Sequence, residues 1–198
     1  FITSSLFGMH GVKSTSAGGE DTTWYDPAVD TFVDNPNFQV YAIRTSSLGA
    51  DKDAKDAYFM LTSSTPFPFS ALTSSIFNDV YDNNKWNFAV KLRHDKHDQV
   101  NAVLGTTGSE FNPSTGLRDA NDSYTVEFYG VNTILDEVVN EFVVSSSVRV
   151  DLAQLAMQSN KRMYVGSHRT NFTGAILEHA DTKVSSLRFW QKHLDNEV

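Results

Sequence analysis

Two acidic loops carry the oxygen donors that a calcium site would need. Calcium in proteins takes about six to eight oxygen ligands, mostly from carboxylates and carbonyls. The candidates are Asp51, Asp53 and Asp56 in one loop and Asp119, Asn121 and Asp122 in another. Aspartate and asparagine are also common in ordinary turns, because their side chains hydrogen-bond their own backbone. If the chain binds calcium, we expect Asp119 and Asp122 to be ligands, and we expect no other cofactor.

The densest group of potential metal ligands is residues 94–98, HDKHD. Imidazole and carboxylate groups together suit a transition metal. Lys96 stands in the middle of the run, however, and the run lacks the glycine that a tight calcium loop would use. A solvated turn is therefore the favoured interpretation.

Two aromatic residues, Trp24 and Tyr25, lie in a long loop over residues 11–34 that is rich in glycine, serine, threonine and aspartate. Loops of this length are uncommon unless they serve a function or lack order. An aromatic ring in a loop can form a platform for a sugar, so Trp24 and Tyr25 are the predicted ligand-binding residues. The favoured interpretation of both rings is that they anchor the loop to the body of the protein.

The composition limits the classes of function. The 198 residues are 40% hydrophobic and carry a net charge of -8, which suits one domain over residues 1–198 and disfavours nucleic acid or an anionic membrane as a partner. No cysteine is present, so disulfides, zinc–thiolate sites and thiol catalysis are excluded. No signal-peptide or membrane-spanning pattern is found. Because the chain starts at Phe1 and stops at a polar run, we expect it to be part of a longer chain.

Alternation of apolar and polar residues predicts an all-β fold. It is cleanest over residues 85–93, where Trp86, Phe88, Val90 and Leu92 share one face. Further strands are predicted over residues 1–10, 37–45, 57–62, 100–104, 123–130, 141–147 and within 161–190, and one short helix is predicted within 149–160. This count of short strands predicts a two-sheet antiparallel β-sandwich with at most one short helix.

Large apolar residues in the predicted strands are expected to form the core, because aromatic side chains bury much apolar area. The predicted core includes Trp86, Phe88, Phe128, Val165, Phe189 and Trp190. In residues 37–45, Phe38, Val40 and Ala42 share one face, and Gln39, Tyr41 and Ile43 share the other. Gly166 and Gly174 are expected to form turns between strands.

Three stretches resemble the laminin-G/concanavalin-like jelly-roll superfamily. The first is residues 84–90, NKWNFAV, and the second is residues 124–130, YTVEFYG. The third combines residues 163–166, MYVG, with 172–174, FTG, and 184–190, VSSLRFW. It is similar to the closing run of the family, in which a strand ends in glycine, a phenylalanine-x-glycine turn follows, and a strand ends in arginine and an aromatic residue. The closing stretch also resembles structural proteins of tailed bacteriophages.

The resemblance implies two antiparallel sheets face to face in jelly-roll order, with recognition through loops at the rim or through a concave sheet. Any binding site is expected in the exposed loops over residues 11–34 and 105–123. Members of the superfamily bind glycans or proteins, sometimes through calcium, so the fold by itself does not name a ligand. The superfamily also includes glucanases, whose catalytic carboxylates project at two-residue spacing from one strand face. Glu137, Val139 and Glu141 would share a face in a single strand, but Val139 stands where that pattern has an acid.

We therefore expect a non-enzymatic structural, decoration or adhesion module of a virion. Its expected partners are other structural proteins or copies of itself, with surface glycans as a further class. The alternative is a carbohydrate-binding lectin domain of a secreted, extracellular protein. A glycoside hydrolase that uses Glu137 and Glu141 is the third hypothesis.

Overall fold

The described part of the chain folds mainly into antiparallel β-structure. The computed structural model describes residues 2–12, 25–26, 31–32, 36–45, 55–63, 69–94, 123–149, 153, 157, 160–169, 176–177, 179–180 and 182–190. The strands within these residues are β1 (Thr3–Val12), β2 (Tyr25–Asp26), β3 (Thr31–Phe32), β4 (Pro36–Arg44), β5 (Ala57–Thr62), β6 (Leu72–Thr73), β7 (Trp86–His94), β8 (Ser123–Ile134), β9 (Glu137–Arg149), β10 (Asn160–Val165), β11 (His168–Arg169) and β12 (Ile176–Leu177).

Two main sheets contain the long strands. One sheet has five strands in the order β10-β1-β4-β5-β6, and the other has three strands in the order β7-β8-β9. All of these pairs are antiparallel. The pairs β2–β3 and β11–β12 form two short ladders of their own. The predicted all-β sandwich is confirmed, whereas the jelly-roll order of its strands stays a prediction.

The hydrophobic core lies between the two sheets. In β5, every second side chain is buried, because strand neighbours point to opposite faces. Phe59 of β5 stands at the centre, with its ring centroid 4.7 Å from those of both Trp86 and Phe88 on the facing sheet. Phe128 is fully buried on the same facing sheet. The predicted inward face of β7 is confirmed by this packing, which also shows that Phe38, Val40 and Ala42 form the inward face of β4.

A polar side chain, Gln39, is fully buried on the face of β4 that points away from this core. Its amide nitrogen donates hydrogen bonds to the hydroxyl of Ser5 and to the carbonyl of Phe7, 2.9 Å away. These two acceptors flank the bulge at which β1 shifts register against β4. Gly8 leaves room for the side chain of Gln39, since a Cβ on residue 8 would lie 2.6 Å from the Gln39 Cδ atom. The buried amide therefore ties the bulge to its neighbouring strand.

Strands β8 and β9 form one long hairpin rather than the shorter strands expected from sequence. Its turn residues, Leu135 and Asp136, have φ angles of 50° and 65°. Two successive positive φ angles characterise the tight hairpin turn that matches strand twist, which usually contains asparagine or glycine. Leu135 is an unusual residue for this conformation, and its presence concealed the turn from sequence reasoning.

The prediction that Val165, Phe189 and Trp190 belong to the core is wrong. Residues 182–190 form no strand, and all nine side chains are exposed. Phe189 and Trp190 are 66% and 54% exposed, and Val165 is 37% exposed. The predicted strand over residues 184–190 is therefore wrong as well, although these are strand-favouring residue types, because pairing and burial also require a neighbouring strand and a facing layer. Gly166 has a φ angle of 77°, as expected for a turn, whereas Gly174 lies outside the described residues.

Of the segment predicted to contain a helix, Ala153 and Met157 are helical, and the residues around them lie outside the described part of the chain. Ala153 is fully buried in the core. The predicted strand over residues 100–104 also lies outside the described residues.

Candidate interaction surface on the β8–β9 hairpin

Apolar side chains crowd the exposed end of the β8–β9 hairpin. Ile134, Leu135, Val138 and Val139 are 46%, 93%, 60% and 52% exposed. Val143, on the outer face of β9, is 47% exposed. Single exposed apolar residues are ordinary, but several of them at one end of a hairpin form apolar surface that a partner can cover. We call these five residues the hairpin patch. Val138 and Val143 lie on the outer face of β9, Ile134 lies on the opposite face of the hairpin, and Leu135 is in the turn between them.

The base of the hairpin is held firmly, so the patch projects from an ordered support. Asn132 is fully buried, and its side-chain amide donates a 2.8 Å hydrogen bond to the carbonyl of Lys85 at the start of β7. The neighbouring inward residue on β8, Gly130, pairs with Phe142 and lies beneath its ring. The exposure of the patch is therefore not the fraying of a loosely attached loop.

A β-bulge within the patch changes which side chains of β9 share a face. Asn132 pairs with Asn140, but the next residue, Thr133, pairs with Val138, so Val139 is the extra residue on β9. Glu137 pairs with Ile134 and Glu141 pairs with Val131. Positions 131 and 134 of a regular strand point to opposite faces.

The two glutamates therefore lie on opposite faces of β9, which corrects the single-strand geometry on which the hydrolase hypothesis relied. A glycosidase needs two carboxylates that project into one cleft and flank the scissile bond, roughly 5–9.5 Å apart.

The outer face of the three-stranded sheet carries an ion pair. Lys91 on β7 and Glu127 on β8 are cross-strand neighbours, with Nζ 3.3 Å from Oε1. Their side chains are only 11% and 19% exposed. Lys91 Nζ also lies 5.4 Å from the ring centroid of Tyr129. The lysine thus neutralises Glu127 and interacts with the π-face of the next aromatic ring.

Tyr129 and Glu141 form a second interaction on this outer face. They are diagonal neighbours, because Glu141 pairs with Val131, two residues beyond Tyr129. Burial raises the pKa of Tyr129 above its ordinary value, and a hydrogen bond to the Glu141 carboxylate and its negative charge raise it further. The phenol is consequently a neutral hydrogen-bond donor to the Glu141 carboxylate.

Charge is distributed unevenly along the hairpin. Asp136 and Glu137 occupy its turn end and Glu141 follows on the outer face, all three exposed. The cation on β9 is Arg149, at the opposite end of the strand. The hairpin patch is therefore apolar with an acidic rim, and a complementary partner would present apolar side chains together with cations.

Most of the site residues predicted from sequence cannot be compared with this surface. Trp24, Asp119 and Asp122 lie outside the described residues. The backbone of Tyr25 pairs with Phe32 in the short β2–β3 ladder. The roles predicted for these four residues in sugar and calcium binding stay predictions.

The acidic and histidine runs are described in part. Asp56 uses its carboxylate locally, because Oδ1 accepts a 3.0 Å hydrogen bond from the backbone N–H of Asp79. His94 packs its ring edge against Tyr124, with centroids 4.8 Å apart, and residues 95–98 lie outside the described part. Within the described residues, no three histidine, aspartate or glutamate side chains come together as metal ligands.

Sequence reasoning missed the hairpin patch, although a signal was present. Residues 134–139, ILDEVV, place two apolar pairs on either side of two acids. A buried strand would not interrupt its apolar face in this way. An apolar–acidic–apolar run of this kind is compatible with an exposed hairpin end once Leu135 and Asp136 are recognised as the turn.

Comparisons with protein-family models, with curated proteins and with solved structures find no match to this chain. None of the described residues forms a helix long and apolar enough to cross a membrane.

Proposed function

We propose that the chain is a non-enzymatic β-sandwich module that acts through protein–protein contacts, in a structural, decoration or adhesion role. The observation that carries this proposal is the hairpin patch. Full burial of one aliphatic side chain contributes roughly 1.5–3 kcal/mol. A partner that covered the five residues of the patch would gain several times that amount, to set against the cost of association.

The charged residues of the same sheet support a binding role over catalysis. Glu127 is paired with Lys91, and Glu141 accepts the hydrogen bond of Tyr129. Glu137 lies on the other face of β9 from Glu141 because of the bulge. Each acid of the outer face therefore has a local partner, and the arrangement suits a sheet surface that is held rigid for contact.

A virion is the setting we propose for this module. What supports that setting is the resemblance of the closing stretch, residues 161–190, to structural proteins of tailed bacteriophages. The hairpin patch is compatible with it, since structural modules of particles assemble through their surfaces. The partner in that setting is another structural protein or a second copy of this chain.

The proposal is tested with Leu135→Asp in the full chain. Asp adopts positive φ angles more readily than Leu, so this change removes apolar surface without a folding penalty at the turn. Ile76→Asp is the matched control, because Ile76 is 61% exposed but belongs to a different part of the fold. Sedimentation velocity at increasing micromolar concentrations measures the assembly state of each variant.

We expect the unaltered chain and Ile76→Asp to assemble with increasing concentration and Leu135→Asp to remain monomeric. A chain that stays monomeric throughout and gives a specific hit on a glycan array would replace the proposal with the lectin alternative. Hydrolysis of a polysaccharide that is lost in Glu141→Gln would replace it with the hydrolase alternative.

A further inference from the structure

Residues 182–190, TKVSSLRFW, form an exposed apolar segment, which we call the closing segment. Val184, Leu187, Phe189 and Trp190 are 53%, 49%, 66% and 54% exposed. None of the nine residues belongs to a strand of the described structure. Two large aromatic rings and two aliphatic side chains in one short segment are costly to leave in water.

The closing segment has the composition of a strand. It contains β-branched and aromatic residues and neither proline nor glycine. Nine residues in extended conformation span about 30 Å at roughly 3.3 Å per residue. An extended segment of this kind satisfies its backbone hydrogen bonds by adding to the free edge of a sheet.

Four strands form the edges of the two main sheets in the described part of the chain: β6, β7, β9 and β10. β6 has only two residues, too few for a nine-residue partner. The cations of β7 are Arg93 and Lys91, of which Lys91 is already paired with Glu127, and those of β10 are Lys161 and Arg162; neither strand contains an acid. β9 is thirteen residues long and carries the glutamates of the hairpin.

The charges of these edge strands indicate which of them the closing segment can pair with. The closing segment carries Lys183 and Arg188 and no acid, so pairing with β7 or β10 would bring like charges together, which destabilises a cross-strand pair. Glu137 and Glu141 give β9 the opposite charge. The hairpin patch also lies along β9, so this edge offers apolar contacts to the aliphatic and aromatic side chains of the segment.

The positions of the charges agree with a joined sheet. The bulge puts Glu137 and Glu141 on opposite faces of β9. Lys183 and Arg188 are five residues apart, so in an extended strand they also point to opposite faces. Each face of the joined sheet would then contain one cation from the closing segment and one glutamate from β9.

We propose that the closing segment of one copy of this chain adds as a fourth strand to the β9 edge of a second copy. The segment does not lie on β9 of its own chain, and β9 pairs only with β8 within the described residues. The inference rests on the proposed function and names its partner. Because the two contacting surfaces differ, the contact is head to tail and builds a ring or an open row of copies.

A charge-swap complementation experiment tests the pairing. The edge variant combines Glu137→Lys with Glu141→Lys, and the segment variant combines Lys183→Glu with Arg188→Glu. All four residues are exposed, so both variants should fold, which circular dichroism checks. Lys85→Glu, also exposed and outside both surfaces, is the matched control. Sedimentation velocity measures the assembly of each variant alone and of an equal mixture.

Each swapped variant alone should remain monomeric, because its segment and its edge carry the same charge. The mixture should assemble, since each segment then meets an edge of opposite charge. Hydrogen exchange on the unaltered assembly should show protection in residues 182–190 and along β9 compared with the dilute monomer.

A mixture that stays monomeric, or a segment variant that assembles alone as well as the unaltered chain, overturns the pairing. In that case, if the unaltered chain assembles and the Leu135→Asp variant does not, the hairpin contact is still supported. Only the proposed strand pairing is then overturned. If the unaltered chain never assembles, both proposals fall together.

Discussion

Gly130→Ala should destabilise the protein, although glycine-to-alanine changes in a regular strand are usually favourable. Gly130 has no positive φ angle that would require glycine, and alanine would reduce the entropy of the unfolded chain, a gain of about 0.4–1 kcal/mol. Opposing this gain is the ring of Phe142, the cross-strand partner of Gly130. A Cβ on Gly130 would lie 2.6 Å from Phe142 Cζ and 3.1 Å from Cδ1.

The Phe142 ring cannot move aside without disturbing the core. It stacks on Phe59 with centroids 5.8 Å apart, and it meets the ring of Phe128 edge-on at 5.0 Å. Phe77 lies 5.7 Å away. Overpacking of a core by one methyl group costs about 1–3 kcal/mol, which exceeds the entropic gain. We therefore expect the free energy of unfolding to fall by about 1–2 kcal/mol after subtraction of that gain.

A double-mutant cycle with Phe142→Ala isolates the cause. Phe142→Ala alone should cost about 3–5 kcal/mol, because it opens a cavity among the aromatic rings. In that background the added methyl group has space, so Gly130→Ala should become neutral or slightly stabilising. Equilibrium denaturation of the four proteins should give a coupling energy of about 1–3 kcal/mol.

Gly166→Ala is the control for the steric argument. Gly166 has a φ angle of 77°, and no atom lies within 4 Å of the position that an added Cβ would occupy. Its substitution should cost about 1–2 kcal/mol through backbone conformation alone, and Phe142→Ala should leave that cost unchanged. A Gly130→Ala protein as stable as the unaltered one, or strict additivity with Phe142→Ala, would refute the reasoning.

Three further predictions follow from the described contacts. Phe59→Ala should lower the free energy of unfolding by about 3–5 kcal/mol, measured by denaturant titration, because Phe59 is the ring that joins the two sheets; a loss below about 1 kcal/mol would contradict its central position. Gln39→Ala should cost about 1–3 kcal/mol, since it leaves buried acceptors at the β1 bulge without their donor, and faster amide exchange near Ser5 should accompany the loss. Glu141→Gln should lower the pKa of Tyr129 toward its ordinary value of 10.0, because the carboxylate charge and hydrogen bond help to raise it; NMR titration measures the shift, and no change would contradict it. The raised pKa of Tyr129 stabilises the folded state below pH 10.0, and this stabilisation is lost as the pH rises through the folded-state pKa. Glu141→Gln should therefore reduce the loss of stability at alkaline pH.

Residues 85–93 could be predicted as a strand from their regular alternation, and residues 57–62 from a short run of apolar residues. The predicted strand over residues 57–62 has the bounds of β5, and residues 85–93 differ from β7 by one position at each end. The inward face of β7 followed as well, since a period of two assigns each side chain to a face once one face is known to be apolar. The β8–β9 hairpin was harder, because its turn uses Leu135 and Asp136 in a conformation that normally signals itself by glycine or asparagine.

The interaction surface could not be predicted, because exposure depends on what lies opposite. The residues of the closing segment and those of β7 are the same strand-forming, apolar types, yet Phe88 packs against Phe59 whereas Phe189 faces water. Composition and spacing report how strongly a side chain avoids water. They do not report whether another layer of the fold is available to cover it.

The sequence by itself determined that this chain folds as antiparallel β-structure with an aromatic core and without cysteine chemistry. Those properties follow from local periodicity and residue type, which act over a few neighbouring positions. Only the tertiary structure decided that Glu137 and Glu141 point to opposite faces, because a single bulge residue reverses the alternation. It also decided that the apolar residues of the hairpin patch and the closing segment are exposed, since burial is set by the packing of distant parts of the chain.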